Sequence, residues 1–372
     1  MPEKEKILKE KKLNFKEIFT TFYKKITAVD EREKPPVKEV MLDIIIALLP
    51  AAIFGCVVFG WMAAAVLAVG VLSAVLAEFL WNIIFKKPQT VLDLSAVVTG
   101  LLFGMVLPST APLWLVALGS IFAVVVIKLL LGGTKCNFLN PVAATRFLLL
   151  AVFPTMLTKF VLPFNVDTVA SATSLDLAYR PDAVNITLTL KDAFFGIKAG
   201  CIGEVSIFLL IIGGLYLIIR RIVSPIIPIC FVGTVALASL IAGQNVALAV
   251  LGGGLVIGAL FVATDYFTTP TTPLGKVIFG VGCGVITFII RSFTPWAEGV
   301  AVAVLVMNLL SPIFHRLITG QKFNFSWLKP VFEKLKTFWQ WIVKKSGALW
   351  QWLKNKFSLL IARIRTKKEK KN

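Results

Sequence analysis

The sequence is poor in the residues from which metal and nucleophilic centres are built. It has one histidine, His315, and five cysteines, Cys56, Cys136, Cys201, Cys230 and Cys283, with no Cys-x-x-Cys pair. That argues against a zinc or iron–sulfur centre made by this chain alone, and leaves the thiols as small packing residues with no disulfide framework. Charge is scarce too: 16% of residues are Asp, Glu, Lys or Arg, against roughly a quarter in soluble domains. The acidic sign is the scarcer, with 20 Asp and Glu against 39 Lys and Arg, a formal net charge of +19. The basic residues lie beside apolar runs, where anionic lipid headgroups explain them and nucleic acid does not.

What is present is apolar length. Hydrophobic residues make up 57% of the chain and mean hydropathy is +0.85, which excludes a soluble enzyme or transcription factor and indicates an integral membrane protein of all-α class. A helix needs roughly 20 apolar residues to cross the hydrocarbon layer, and about ten segments qualify. They fall at 40–59, 62–82, 92–108, 112–132, 142–160, 200–219, 224–243, 246–264, 275–291 and 299–318, the first two being split only by Gly60 and Trp61. An even count puts both termini on one side. The basic N-terminal segment, Lys86–Lys87, Lys128 with Lys135, Arg220–Arg221, Lys276 and the C-terminal tail share that side, which the positive-inside rule makes cytoplasmic. Residues 1–39 are charged throughout and contain no cleavable signal peptide, so they are expected to remain as a cytoplasmic segment ahead of a membrane domain at 40–318.

The opposite, external face receives the longest connection, 162–198, with thinly spread Arg180, Lys191 and Lys198, and Arg291 in a second loop. A polar loop of that length is a place for function or for docking a partner. After Ile318 the chain interleaves Trp327, Trp339, Trp341, Trp350 and Trp352 with lysines, the pattern of an amphipathic tail, 319–372, lying on lipid.

Two Gly-rich segments share a rhythm, one running from Ser95 to Leu113 and the other from Gly252 to Leu274, each closing in a Pro/Thr break. With five spans per half the copies would run in opposite directions, so two inverted five-helix repeats are one reading of the chain. The breaks at 137–141 and 265–273 can offer backbone N–H groups, hydroxyls and the Asp265 carboxylate to a polar ligand or an ion. A cap and a turn are the plain alternative. Asp43, Glu78, Asp93, Lys128, Glu204, Asp265 and Glu298 are the ionisable residues near the membrane, with Asp265 the foremost candidate for ion handling.

The loop segment Asp167-Thr-Val-Ala-Ser-Ala-Thr173 resembles the flavinylation signature of RnfD, from the Rnf complex, and of NqrB, from the sodium-translocating NADH:quinone reductase. On that match Thr173 is the acceptor, with Asp167, Ser171 and Ala172 completing the motif. Ala170 stands where the signature has a hydroxyl residue and Ser171 where many members have Gly. Thr168, Ser171 and Ser174 are the neighbouring hydroxyls. Asn137-Phe-Leu-Asn140-Pro141, Gly203-Glu204-Val-Ser206, Gly213-Gly-Leu-Tyr-Leu, Ala263-Thr-Asp265 with Thr269 to Gly275, and Glu298 to Asn308 also match, in order, across 40–318.

The resemblance implies a ten-helix membrane subunit with FMN joined through its phosphate to Thr173 on the external face, and a second, noncovalent flavin, riboflavin, within the membrane. Asp265, Asn140 and Glu204 are the candidates for an ion site or that second flavin. It implies a neighbouring FMN-bearing subunit, RnfG, and a six-subunit complex coupling electron flow between ferredoxin and NAD to Na⁺ or H⁺ movement. Threonine is a weak nucleophile without a base or metal, and no histidine lies in the loop, so a separate flavin transferase is expected. No residue of this chain is assigned a catalytic or metal-binding role. The competing readings are a small-solute channel or transporter, which would carry no flavin, and the quinone-reductase subunit NqrB.

Overall fold

The computed structural model describes residues 35–131, 139–161, 163–165, 169–170, 178–179, 190–196, 198–294, 299–319, 336 and 340. The N-terminal segment, the Trp-rich tail apart from Lys336 and Gln340, and most of the signature loop lie outside the described residues.

Helix α1 (Val37–Phe59) and helix α2 (Trp61–Ile84) are separated by Gly60 alone, whose φ of 73° makes a reversal that a Cβ would strain. On α1, Leu42, Ile46, Leu49, Ile53 and Val57 recur every three or four residues and stand exposed, while Ala47, Ala51 and Gly55 are buried. An apolar stripe outside and small residues inside is the pattern of a helix facing lipid on one side and packed helices on the other.

The third expected span is shorter than the sequence suggested. A 3-10 turn (Val91–Asp93) and the left-handed Leu94 (φ 62°) precede α3 (Ser95–Met105). Helix α4 (Leu113–Phe122) continues as a π-helical stretch, Ala123–Leu130. Helix α5 (Pro141–Val152) stops well short of residue 160, because Pro154 disfavours helical backbone at Phe153, which takes φ −127° and ψ 54°. Beyond it, Phe160–Val161 pairs antiparallel with Val169–Ala170.

A 3-10 turn at Ile202–Glu204 delays α6 (Ile207–Ile219), so the expected 200–219 span is shortened. Helix α7 (Ile226–Ile241) follows. The expected 246–264 span is broken: α8 (Val246–Leu251) ends at Gly252, Gly253 and Gly254 take φ of 62° and 63°, and α9 (Leu255–Ile257) runs on as π-helix through Val262. Helices α10 (Pro273–Phe293) and α11 (Gly299–Thr319) close the domain.

Helix thus occurs within each expected segment. Among the described residues, four stretches, Val37–Phe59, Trp61–Ile84, Leu113–Leu130 and Pro273–Phe293, have the length and apolarity to cross a membrane. The element order recurs in the two halves: two helices, an interrupted third, then two more. Helix α2 packs on α3 and α4 as α7 packs on the α9 segment and α10, while α1 meets α6 and α5 meets α11 across the halves. A Cβ on Gly213 would strike the Ala47 carbonyl, so the α1–α6 approach depends on that glycine.

Candidate functional site

An open cleft lies where the halves meet. Its walls come from the end of α3 (Met105, Val106), one face of α5 (Val142, Ala143, Arg146), the 3-10 turn (Cys201, Glu204), the helix break (Gly253, Gly254) and the α9 and α11 segments. The wall is apolar apart from one edge. There the Arg146 guanidinium donates to Cys201 Sγ at 3.3 Å, and Cys201 N–H donates to Glu204 Oε1 at 2.7 Å. Ile202 N–H donates to the Leu107 carbonyl at 3.0 Å, fastening the turn to the end of α3. Gly254 lets the Glu204 carboxylate lie against the break: a Cβ there would meet Glu204 Oε2 at 3.1 Å.

Behind this edge stand two more buried cations. Lys198 and Arg291 are each 2% exposed. Lys198 Nζ donates to the Leu251 carbonyl at 2.5 Å, and Arg291 donates to the carbonyls of Ala249 (2.9 Å), Gly252 (3.3 Å) and Gly253 (2.7 Å). The two residues expected in external loops are therefore interior groups. The reason is local: a broken helix leaves carbonyls without N–H partners, and inside a membrane protein those oxygens need a donor.

At the far end of α2 a second buried network forms. Lys128 Nζ lies 2.9 Å from Glu78 Oε2 and 2.6 Å from Ser95 Oγ, while Thr90 Oγ1 donates to Glu78 Oε1 at 2.6 Å. Ser95 N–H donates to Asp93 Oδ1 at 2.9 Å, starting α3. Asp43 accepts from Tyr216 Oη at 2.6 Å and Arg220 at 3.0 Å, tying α1 to α6.

Among the candidate ion or second-flavin residues, the structure brings one to the cleft and a second to the back of its wall. Glu204 lines it, and Asn140, 3% exposed, caps α5 by accepting from Ala143 N–H at 2.9 Å while donating to the carbonyl of the wall residue Val262 at 2.9 Å. Asp265 stands apart, in the connection between α9 and α10, where its carboxylate accepts from Thr268 Oγ1 at 3.2 Å. Burial pushes the Asp265 carboxyl up to about 6, against the lowering effect of that hydroxyl and of the N–H groups of Tyr266, Phe267 and Thr268. Thr173, Asp167, Ser171 and Ala172 lie outside the described residues, as does the Glu298 position. No group of three or more His, Cys, Asp or Glu side chains placed to hold a metal occurs among the described residues. Sequence reasoning passed over Arg146, a lone arginine in an apolar span, which is itself a signal of function or of buried pairing.

The sequence matches the model of the NQR2, RnfD, RnfE family over residues 28–324. The chain belongs to that family. It is 42% identical over 287 residues to the D-type subunit of the Na(+)-translocating ferredoxin:NAD(+) oxidoreductase complex of Acetobacterium woodii, covering 77% of this chain and 90% of the relative. It is 35% identical over 304 residues to the D-type subunit of the proton-translocating ferredoxin:NAD(+) oxidoreductase complex of Clostridium ljungdahlii, covering 77% and 92%. Identity to the B-type subunit of the Na(+)-translocating NADH-quinone reductase of Pseudomonas aeruginosa is 34% over 285 residues, covering 72% of this chain and 70% of the relative. Family membership and the apolar helices together make this a multi-pass membrane protein.

Proposed function

We propose that the chain is the membrane electron-transfer subunit of an Rnf-type complex, carrying covalent FMN on Thr173 and serving the coupling of ferredoxin:NAD oxidoreduction to Na⁺ or H⁺ translocation. The observation that carries this reading is the match to D-type relatives along nine-tenths of their length, joined to the signature Asp167–Thr173. The quinone-reductase relative is covered over a smaller share, which favours the ferredoxin:NAD complex over the quinone reductase.

The chemistry of the described residues supports this reading. An apolar wall with a polar edge of Arg146, Cys201 and Glu204 matches the chemistry of an isoalloxazine ring, and the cleft must widen to admit one. Gly253 and Gly254 present backbone without side chains, so a planar group can approach closely. Phe160 packs with Ala199 and the wall residue Cys201, and its strand pairs Ala170 opposite it. Since Thr173 follows Ala170 by three residues, at most about 10 Å of chain separates the acceptor from that anchored strand. The reading thus puts the covalent flavin at the external mouth of the cleft, and assigns the cleft, with Glu204 in its wall and Asn140 bracing that wall from behind, to the second flavin, riboflavin.

A bound flavin supplies one- and two-electron chemistry. The protein holds the polar edge rigid through the Cys201–Glu204 turn, keeps water from the apolar walls, and offers Arg146 toward electron-rich atoms of the guest. Asp265, between the membrane segments, is the proposed coupling-ion ligand. The partners in this reading are the other Rnf subunits, above all the FMN-bearing RnfG, a separate flavin transferase, and membrane lipids. The protein lies in the cytoplasmic membrane with both termini inside and the flavin loop outside.

The test is mass spectrometry of the purified chain and its loop peptides from cells containing an active flavin transferase, with Thr173→Ala as control. An FMN adduct and in-gel fluorescence lost in Thr173→Ala are expected. A bare Thr173 would sink the covalent carrier and put the flavin-free solute channel first.

A further inference from the structure

The end of α8 presents carbonyl oxygens in the protein interior. In membrane transporters, unwound carbonyls and half-helix ends of this kind hold the coupling cation. Here the oxygens already have protein donors. Lys198 serves Leu251, and Arg291 serves Ala249, Gly252 and Gly253, so the carbonyl end of the break is occupied by an ammonium and a guanidinium. Two buried cations at one place persist only if dipoles and an opposite charge compensate them. The carbonyls supply the dipoles. Glu204, which lines the same closely packed crevice as Lys198 and Leu251, supplies the charge.

The two cations are not equivalent. Arg291 is locked by three carbonyls, a fork that a metal ion would not replace without rebuilding the break. Lys198 is a compact point charge on a flexible stem, touching one carbonyl and lining, with the Glu204 carboxylate, one tightly packed crevice. Without its side chain the space would be walled by a carbonyl oxygen, a carboxylate and room for water, which is an all-oxygen donor set for a small monovalent cation.

We propose that Lys198 is a tethered counter-cation that fills the place a monovalent metal ion would take between the α8 carbonyl end and Glu204, so that this break excludes Na⁺ and Lys198 sets that selectivity. At the interruption before α3 a buried lysine likewise pairs with a buried carboxylate, Lys128 donating to Ser95 Oγ and to Glu78, although no backbone carbonyl takes part there. The ion moved by the complex then crosses elsewhere, whether or not the cavity holds a flavin.

The full chain in lipid nanodiscs is unfolded thermally across a NaCl series, with choline chloride holding ionic strength constant. A cation bound only by the folded state raises the midpoint with its concentration. Wild type and Glu204→Gln are expected to share one Na⁺ slope. Lys198→Ala should gain a Na⁺-dependent rise above wild type, Lys198→Ala/Glu204→Gln should lose that gain, and Lys198→Arg should keep the wild-type slope. The proposal is overturned if Lys198→Ala keeps the wild-type slope, or if wild type shows a Na⁺ slope that Glu204→Gln abolishes. If Lys198→Ala does not fold, Lys198→Asn, which leaves similar space and one donor, is read by the same two outcomes.

Discussion

Glu78→Gln isolates the energetic role of the buried pair at the start of α3. In the native protein Lys128 is 1% exposed and Glu78 is fully buried, with Nζ 2.9 Å from the carboxylate. The substitution keeps the shape and an acceptor oxygen but removes the charge, leaving the ammonium with Ser95 Oγ as its other partner. Removing one member of a buried pair costs about 3–5 kcal/mol, because the surviving charge stays desolvated. Lys128→Met should cost a comparable amount. The double variant removes both charges at once and should be less damaged than the sum, with a coupling on the order of 2 kcal/mol. Reversible denaturant unfolding in mixed micelles, run as a double-mutant cycle, measures this. Glu78→Gln within about 1 kcal/mol of wild type, or simple additivity, would refute the idea that the pair is mutually dependent and place both groups in contact with water.

Asn140→Ala removes both a cap to Ala143 N–H and a buried donor to the Val262 carbonyl, and should cost about 2 kcal/mol in the same unfolding assay. It should also loosen the cavity wall, read as weaker retention of any noncovalent flavin. Asp265 gives a pH signature: with its carboxyl raised from 3.8 to about 6, the ionised form is the costlier one in the fold. Its contribution to stability is therefore full below about pH 4 and is lost as pH rises through about 6, and Asp265→Asn should flatten that limb. If it also ligates the coupling ion, vesicle transport should fall as pH drops through about 6, and transport unchanged in Asp265→Asn in an intact complex would end that assignment.

The fold was legible wherever a span is uniformly apolar. The first two helices and their division at Gly60 follow directly from length and one flexible residue, as does α10. Interruptions were legible only in part: Gly252–Gly254 and Pro154 are visible in sequence, but a window of hydropathy runs across both, so 246–264 and 142–160 read as unbroken. The site was least legible. Lys198 and Arg291 look like loop residues because nothing near them in sequence shows that carbonyls 53 and 42 positions away, at Leu251 and Ala249, need donors. Glu78 and Lys128 are likewise 50 apart. Local pattern identifies a helix, whereas these pairings are set by which helices pack together.

The placement of charge nevertheless follows a rule that sequence can use. A continuous helix satisfies its own backbone and has no need of charged neighbours inside a membrane, so charge there is pure cost. A broken helix releases N–H and carbonyl dipoles and creates the one environment in which a buried ion is partly repaid. Three of the described interior cations follow this: Lys128 sits at the start of α3, and Lys198 and Arg291 sit at the end of α8, whereas Arg146 projects from the continuous α5 to Cys201 at the 3-10 turn. An ionisable residue stranded next to an apolar run, in a chain that also carries a Gly-rich interruption, is therefore a candidate partner of that interruption before it is a candidate ligand. On that argument the positions most suited to a transported ion are carboxylates held by a break's hydroxyl and N–H donors and not by a side-chain cation, and Asp265, without a paired cation among the hydrogen bonds it makes, is the leading one.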